Sequence, residues 1–439
     1  MKMISPFAAY VHWPSAPFTE SLVRKSLKSL EPPPVFIDTP TAAHPNGRLV
    51  QWSSYDEIDH ELVLANSTTV LSSSFVIRKA LTRKHFLSRS ILSYVTKNPE
   101  SALKNGAPAT YEIEISFADE LDEALADDLW ELGRDLNSDT PRWWILKPGM
   151  ADRGNGIRLF NSLETLERIF QEFEEDEDEE EDGGEEEEGS TAVITSQLRH
   201  FVIQEYLPSP VLVDPLEVSV NGSVKPAELR GRKFHLRAYC VASGSLKVYL
   251  YRRILALFSS TPYTQPQSSE SGEIDLLPHL TNTSLQTEHG EENVRLLDEL
   301  LGSQLFDVNG ADIGAFNESH IDDILTQMTA ILADAFEAGL QNPVHFQALP
   351  NAFELYGVDF LVSFTPGNAM QVSLLEFNSE PAIELTGPRL AWILEDLFAT
   401  IGKVCVSLFF STAKDDNEEW TVGETKHEFT KCLEKDLHF

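Results

Sequence analysis

The sequence predicts an α+β protein of several domains. Two patterns carry this: apolar runs of strand length bounded by turn residues, and longer segments whose apolar residues recur at helical spacing. In chain order, Trp143 to Lys147 and Phe201 to Tyr206 read as short buried strands, and Leu246 to Phe258 as a hairpin or two successive strands. Ile321 to Leu340 reads as a helix. Glu354 to Val362 and Gln371 to Asn378 flank a turn at Pro366-Gly367 and read as an antiparallel hairpin. Leu390, Ile393, Leu394, Leu397, Ile401, Val404, Cys405 and Leu408 recur at three- and four-residue steps, the mark of a long amphipathic helix that packs on a core. Beyond Ser411 the chain turns polar, and this tail is expected to fray or pack weakly.

The chain has 439 residues, 34 Lys plus Arg against 70 Asp plus Glu, a formal charge of −36 and 42% apolar residues. That length suggests about three domains, each with enough apolar residues for a core. The charge argues against nucleic acid as a direct partner. Cys240, Cys405 and Cys432 are far apart and form no C-x-x-C pair, so neither a disulfide framework nor a structural zinc is expected. The opening residues lack the apolar region of a signal peptide, and no apolar run approaches the roughly 20 residues of a membrane span. A cytoplasmic protein without membrane contact is expected. The most biased segment, Glu172 to Glu188, holds 14 acidic residues and leaves the remainder at −22. It is expected to be a disordered insertion, having no periodic apolar face to bury.

The hairpin carries the strongest chemical signal. Glu376 and Asn378 are two apart on one strand and project the same way, and folding about Pro366-Gly367 sets Asp359 opposite Leu374, one diagonal step from Glu376. Both strands are apolar on both faces, so they should be buried on both, and an ionised carboxylate buried there needs a cation. Carboxylate and amide oxygens are hard ligands suited to Mg²⁺, which shares its remaining positions with water and substrate phosphates. ATP is the natural companion.

A second constellation is a strand ending in Lys147 and a glycine-rich turn that carries Arg153, Gly154, Gly156 and Arg158. Such a turn can lay backbone N–H groups over phosphates while the cations neutralise them. It is not a Walker A loop, since Asn155 and Gly156 replace the Lys and Ser/Thr of that motif. A third runs from Arg230 to Arg237, where alternation aims Lys233, His235 and Arg237 to one side and Arg252 can join from a neighbouring strand. No G-x-S-x-G elbow, H-E-x-x-H pair or cysteine–histidine pairing appears. His279, His289 and the other histidines read as surface or cap residues.

Taken together these segments resemble the tubulin tyrosine ligase-like family, whose fold is an ATP-grasp. Phe201 to Leu212, with Gln204, Glu205, Tyr206 and Leu207, resembles that family's adenine hinge; Arg232-Lys233-Phe234-His235-Leu236-Arg237 resembles its R-K-F-D-hydrophobic-R strand. Val248 to Arg252 resembles its V-Y-L-Y-R strand, and His279-Leu280-Thr281-Asn282 its H-L-T-N motif. The likeness runs from about Trp143 to Phe410, and Ser74 to Leu87 resembles the family's entry into the central domain more faintly. The resemblance implies an N-terminal α/β domain (1–70), a central domain holding the acidic insertion 172–189 (71–206), a C-terminal ATP-grasp domain (207–411) and a polar tail (412–439). It implies ATP phosphates on Lys147 and Lys233, adenine at 205–207, Mg²⁺ on Asp359, Glu376 and Asn378, and Arg237 and Arg252 stabilising an acyl-phosphate transition state. The activity implied is carboxylate-amine ligation onto a protein or peptide acceptor; a non-catalytic ATP-binding scaffold is the alternative.

Two departures bear on that choice. His235 stands where the family has Asp, as a replacement base or as a polar filler, and residues from Asp214 to Leu229 are inserted before that strand. An unperturbed imidazole, near 6.5, would suit a base. The motifs look nearest to the fungal processing-body-associated members, which implies processing bodies as a location and mRNA-decay proteins as partners. Tubulin tails are acidic, and a chain this acidic disfavours them.

Overall fold

The computed structural model describes residues 6–41, 47–115, 117–149, 156–181, 200–218, 220, 225–267, 274–281, 293–411 and 420–437. At the N-terminus, strands Ala8–Tyr10 (β1), Val35–Ile37 (β2), Leu49–Gln51 (β3) and Val70–Ser72 (β4) form a parallel sheet in the order β2-β1-β3-β4. β1, β3 and β4 are wholly buried, as parallel strands covered on both faces must be. The helix Pro17–Lys28 begins on its proline, whose missing N–H costs nothing there, and buries Leu22, Val23 and Leu27.

A second, antiparallel sheet consists of Thr110–Glu114 (β5), Trp144–Pro148 (β6), Arg158–Phe160 (β7) and His200–Glu205 (β8), ordered β5-β8-β6-β7. The helix Leu163–Glu181 covers one face of it with Leu166, Ile169, Phe170 and Phe173. The acidic run is therefore helical as far as Glu181 rather than unstructured from its start; its continuation from Asp182 lies outside the described residues. The physical reason is local: Phe173 anchors the run's first turn against Phe201, and glutamate is a good helix former.

The third sheet is the largest and includes the short strands Leu212–Val213 (β9), Val294–Leu296 (β13), Gln304–Phe306 (β14) and Asp312–Ala315 (β15). Its centre is Arg232–Ser243 (β10), flanked on one side by Lys247–Tyr251 (β11) and Leu255–Phe258 (β12) end to end, so the two-strand reading of 246–258 holds. On its other side lies Phe353–Phe364 (β16), which pairs with Met370–Ser379 (β17). The helix Glu318–Leu340 packs Met328, Leu332, Ala335 and Phe336 on one face of this sheet, where Phe336, Tyr356 and Phe377 meet edge to face at 5.8–5.9 Å. The opposite face meets the helix Ala391–Ile401 and the N-terminal layer, with Trp52 between Phe353 and Phe398 at 5.2 and 5.8 Å. That helix continues through a π-helical stretch, Gly402–Ser407, whose first residue packs closely on the N-terminal helix: a Cβ there would lie 2.4 Å from Ser26 Oγ and force that side chain to move. Among the described residues no helix is long and apolar enough to cross a membrane.

Two expectations are corrected here. The hairpin carries a bulge between Asp359 and Phe360, so Asp359 opposes Glu376 directly; Leu374 opposes Phe360 in the core and Leu375 faces the other way. The tail does not fray: Phe429–Glu434 (β19) pairs with β11 and with Thr425–Lys426 (β18), burying Phe429, Lys431 and Cys432. A polar composition hid a short alternating strand. Phe429 is fully buried, its ring 5.6 Å from that of Tyr251, so Phe429→Ala should cost about 3–5 kcal/mol in urea unfolding. A loss below about 0.5 kcal/mol, the usual size for a surface change, would return the tail to a loose appendage.

Candidate nucleotide and metal site

A cleft with about 980 Å³ of empty space, part of it open to solvent, runs between the second and third sheets. Strand alternation aims the side chains. On β6, Trp144 and Leu146 enter the core while Ile145 and Lys147 line the cleft; on β8, Phe201 and Ile203 go inward and Gln204 faces Lys147. On β10, Phe234, Leu236 and Ala238 are core, leaving Lys233, His235 and Arg237 on the opposite face, as the sequence spacing requires. The chain leaving β8 supplies Glu205, Tyr206 and Leu207, and Ile157, Leu280 and Leu361 complete the apolar walls.

Three cations converge. Lys147 Nζ donates to Gln204 Oε1 at 2.7 Å, and Lys233 Nζ sits 4.3 Å from the centroid of the Tyr206 ring. Burial pushes Lys147 down to about 8 and Lys233 down to about 7, the latter also repelled by Lys147. Lys84, from the helix Lys84–Lys97, pairs with Glu376 at 3.3 Å. Lys84 was missed in the sequence, although it opens the segment that resembles the central-domain entry.

Asp359, Glu376 and Asn378 come together on β16 and β17. Arg237, directly opposite Asp359 in register, grips that carboxylate through Nε and, at 2.9 Å, through Nη2; Asn378 Nδ2 donates to it at 3.2 Å. Burial alone would raise the Asp359 carboxyl, but Arg237 overrides it and holds the group below the usual range. Among the described residues no three His, Cys, Asp or Glu side chains cluster for a metal. Two carboxylates and an amide fit a hard cation that keeps water or phosphate ligands, and the orientation of Asn378 leaves its amide oxygen for that purpose. An all-oxygen donor set suits Mg²⁺, Ca²⁺ or Mn²⁺ rather than zinc or copper.

His235 lies beside them, with Nδ1 2.6 Å from Thr281 Oγ1 and Nε2 3.6 Å from Asp359 Oδ1. Burial pushes its imidazole down to about 4, so it is neutral near pH 7 rather than poised near 6.5. Its Nε2 edge faces the carboxylate without reaching hydrogen-bond distance, which suits a polar filler better than a base. His279 is not a surface residue: it is buried in the cleft, 3.0 Å from the Tyr206 hydroxyl, and burial takes it to about 4 as well.

The remaining expected residues sit apart. Arg252 is exposed at the end of β11, outside the cleft lining, its backbone N–H bonded to the Glu428 carbonyl. Gly156 has φ +70°, and a Cβ there would meet Pro148 Cγ at 2.8 Å, so the turn needs glycine at that position. Arg153, Gly154, Asn282 and His289 lie outside the described residues. The inserted stretch after Asp214 is closed by that residue, whose carboxylate accepts from the N–H groups of Leu216 and Arg230.

Residues 72–414 match the model of the tubulin-tyrosine ligase family. The chain belongs to the tubulin-tyrosine ligase family. Among its relatives, a probable tubulin–tyrosine ligase of Schizosaccharomyces pombe is 37% identical over 84% of this chain and 85% of its own. The probable tubulin–tyrosine ligase Pby1 of Saccharomyces cerevisiae is 35% identical over 88% of this chain, which spans about half (49%) of that relative's length. Among solved structures, the C-terminal domain of K. lactis Pby1, described as an ATP-grasp enzyme interacting with the mRNA decapping enzyme Dcp2, superposes with a TM-score of 0.66 at 28% identity, covering 98% of this chain and all of that one. The family's ATP-grasp architecture is thus the fold of this chain, and such folds generally use ATP with a divalent metal.

The buried histidines make stability acid-sensitive. Both fold with a pKa near 4 against about 6.5 unfolded, so the unfolded chain binds more protons between those values and stability falls as pH drops through that window. The variant His235→Asn should retain up to about 3 kcal/mol more of its pH 7 stability at pH 4 than the parent does. Parallel curves of urea midpoint against pH for parent and variant would show His235 to be already accessible to protons.

Proposed function

We propose that the chain binds Mg-ATP in this cleft and acts as a carboxylate-amine ligase of the tubulin tyrosine ligase-like type. The observation that carries the reading is the opposition of Lys147 and Lys233 to Asp359, Glu376 and Asn378 across one cleft whose hinge is Glu205 to Leu207. Adenine would lie against the hinge between Ile145, Leu207, Leu280 and Leu361, with the phosphates reaching the lysines. A divalent cation held by Glu376, Asn378 and Asp359 would neutralise charge on the transferring phosphoryl group. Phosphoryl transfer needs positioning and charge neutralisation rather than a protein nucleophile, which this residue set can supply. An acceptor carboxylate attacks the γ-phosphate, and an amino-acid amine then displaces phosphate from the acyl-phosphate to form the amide. Arg237 would stabilise that transition state from beside Asp359; the exposure of Arg252 leaves it a weaker candidate.

The second reading, a nucleotide-binding scaffold in a complex, is favoured by one residue. His235 fills with a neutral ring the position where the family's R-K-F-D-hydrophobic-R strand, which this segment resembles, has Asp. The solved relative's association with a decapping enzyme supports mRNA-decay partners, and with them the cytoplasm and processing bodies as the location here. A protein or peptide acceptor other than tubulin fits the −36 charge better.

Binding is tested by melting and calorimetry. Mg-ATP at 100-fold above its dissociation constant should stabilise the protein by about 2.7 kcal/mol, and Lys147→Met should abolish the shift. The triphosphate will raise both lysine pKa values, so at pH 8, where Lys147 (about 8) is half neutral and Lys233 (about 7) largely neutral in the free protein, binding should take up about 1 to 1.5 protons. Calorimetry in buffers of different ionisation enthalpy reads this directly, and binding without uptake would remove the lysines from the phosphate site. To separate enzyme from scaffold, ADP formation is followed with a panel of amino acids. The scaffold reading expects no stimulation by the natural chain and a gain in His235→Asp; stimulation of the natural chain that the substitution lowers favours the ligase.

A further inference from the structure

A second pocket adjoins the cleft, with about 760 Å³ of empty space, part of it open to solvent. One wall is the helix Lys84–Lys97, whose residues Leu87, Ser88, Ile91, Leu92 and Val95 follow at three- and four-residue steps along a single stripe. Val202 of β8, Leu374 and Leu375 of β17, Leu103 and residues 107–109 complete the lining. The hydroxyls in these walls are engaged: Ser88 donates to the Thr110 carbonyl at 3.3 Å, and Thr110 donates to the Pro108 carbonyl at 3.0 Å. The walls are therefore apolar in effect.

Its two ends differ. Lys84, Lys147 and Gln204 line both the pocket and the cleft, so they are the partition between the two and make the inner end polar. At the other end Leu92 is 68% exposed, and Lys104 and Ala109 are exposed as well. Among the described residues no acidic side chain lines the pocket. Lys84 is committed to Glu376 at 3.3 Å, which leaves Lys147 as the cation of the inner end. Its ammonium donates to Gln204 Oε1 at 2.7 Å, and Gln204 Nε2 donates to Thr110 Oγ1 at 3.3 Å while keeping a second N–H. Glu376 and Asp359 act on Lys147 from the cleft, and neither reaches the pocket. A buried ammonium whose hydrogen-bond partner is a neutral amide gains from a carboxylate, and the walls gain from hydrocarbon.

We propose that this pocket binds a straight-chain monocarboxylic acid, its carboxylate on Lys147 and the Gln204 amide and its chain along the stripe toward Leu92. From Lys84 to Val95 the stripe is about 16 Å long, enough for roughly ten carbons in extended form. A dicarboxylate would set a second charge against apolar walls, and a peptide would set unpaired amide groups there. Because Lys147 also faces the cleft, the acid shares that cation with any phosphate bound in the cleft, and the two ligands oppose each other. The pocket itself stands whether or not the chain is a ligase.

The test is calorimetry with hexanoate, octanoate and decanoate on the full chain at pH 7 without nucleotide, so its outcome is independent of whether the cleft binds ATP. Each buried CH₂ is worth about fourfold, so affinity should rise roughly 16-fold at each step of the series, at one site per chain. Decanol and decyltrimethylammonium carry the same chain without the carboxylate and should bind about tenfold more weakly than decanoate. Lys147→Met should remove the preference for decanoate over decanol. Leu92→Glu, at an exposed position by the mouth that the fold does not need, should weaken decanoate and spare hexanoate. Failure of decanoate to bind, affinity that does not rise with chain length, equal or tighter binding of decanol or the ammonium, or binding that neither substitution changes overturns the proposal.

Discussion

The pair between Arg237 and Asp359 is the constraint around which the site is arranged. The two residues oppose each other in register on β10 and β16, the central strands of the largest sheet, and the carboxylate is gripped from two guanidinium nitrogens. A buried ion pair adds little net stability relative to apolar residues, but leaving one partner alone there costs about 3–5 kcal/mol. Its value is therefore positional. It fixes which face of β10 carries Lys233 and His235, and the bulge beside Asp359 turns Glu376 and Asn378 onto the same side.

From that pair the electrostatics of the cleft follow. One end of the sheet face is sealed by the N-terminal layer and the helix Ala391–Ile401, so Tyr239 and Val241 are core although they continue the same row as Lys233, His235 and Arg237. Where that cover stops, the row becomes polar. Lys147 and Lys233 have an amide oxygen and an aromatic face as their nearest named partners, and burial weakens their hold on protons. Groups desolvated in this way before a ligand arrives interact strongly with a triphosphate, because little water remains to be removed from them.

Strand alternation made much of this legible in advance. The positions of Lys147, Gln204, Lys233 and Asp359 on the cleft side of their strands follow from counting residues, and so does the helix at 318–340, whose apolar repeat is long. What could not be counted was anything set by a local break in the period. The bulge at Asp359 moved Leu374 and Leu375 to faces opposite to those an unbroken strand would give them. The burial of His279 depends on Tyr206, 73 positions away in the sequence, and the tail strand depends on an open edge at β11 that no pattern within 425–434 announces. The acidic run misled for a different reason: composition reports what a segment cannot bury, whereas Phe173 inside it was enough to extend an existing helix.

The substitution at position 235 makes sense only together with Asp359. An Asp carboxylate at that position would end about where His235 Nδ1 stands, short of the Nε2 that lies 3.6 Å from Asp359 Oδ1, and two buried carboxylates facing one another across so small a gap favour a cation between them. A site with Asp there would have its charge balanced when metal is bound. A neutral imidazole beside Asp359 leaves Arg237 as that residue's counter-charge and adds no carboxylate for a metal to balance. The same change would lower the dependence of the fold on nucleotide and remove one carboxylate from the reacting end. A site with one carboxylate fewer is what a scaffold can tolerate and a ligase has to compensate for elsewhere, with Glu376 and Lys84 near the reacting end.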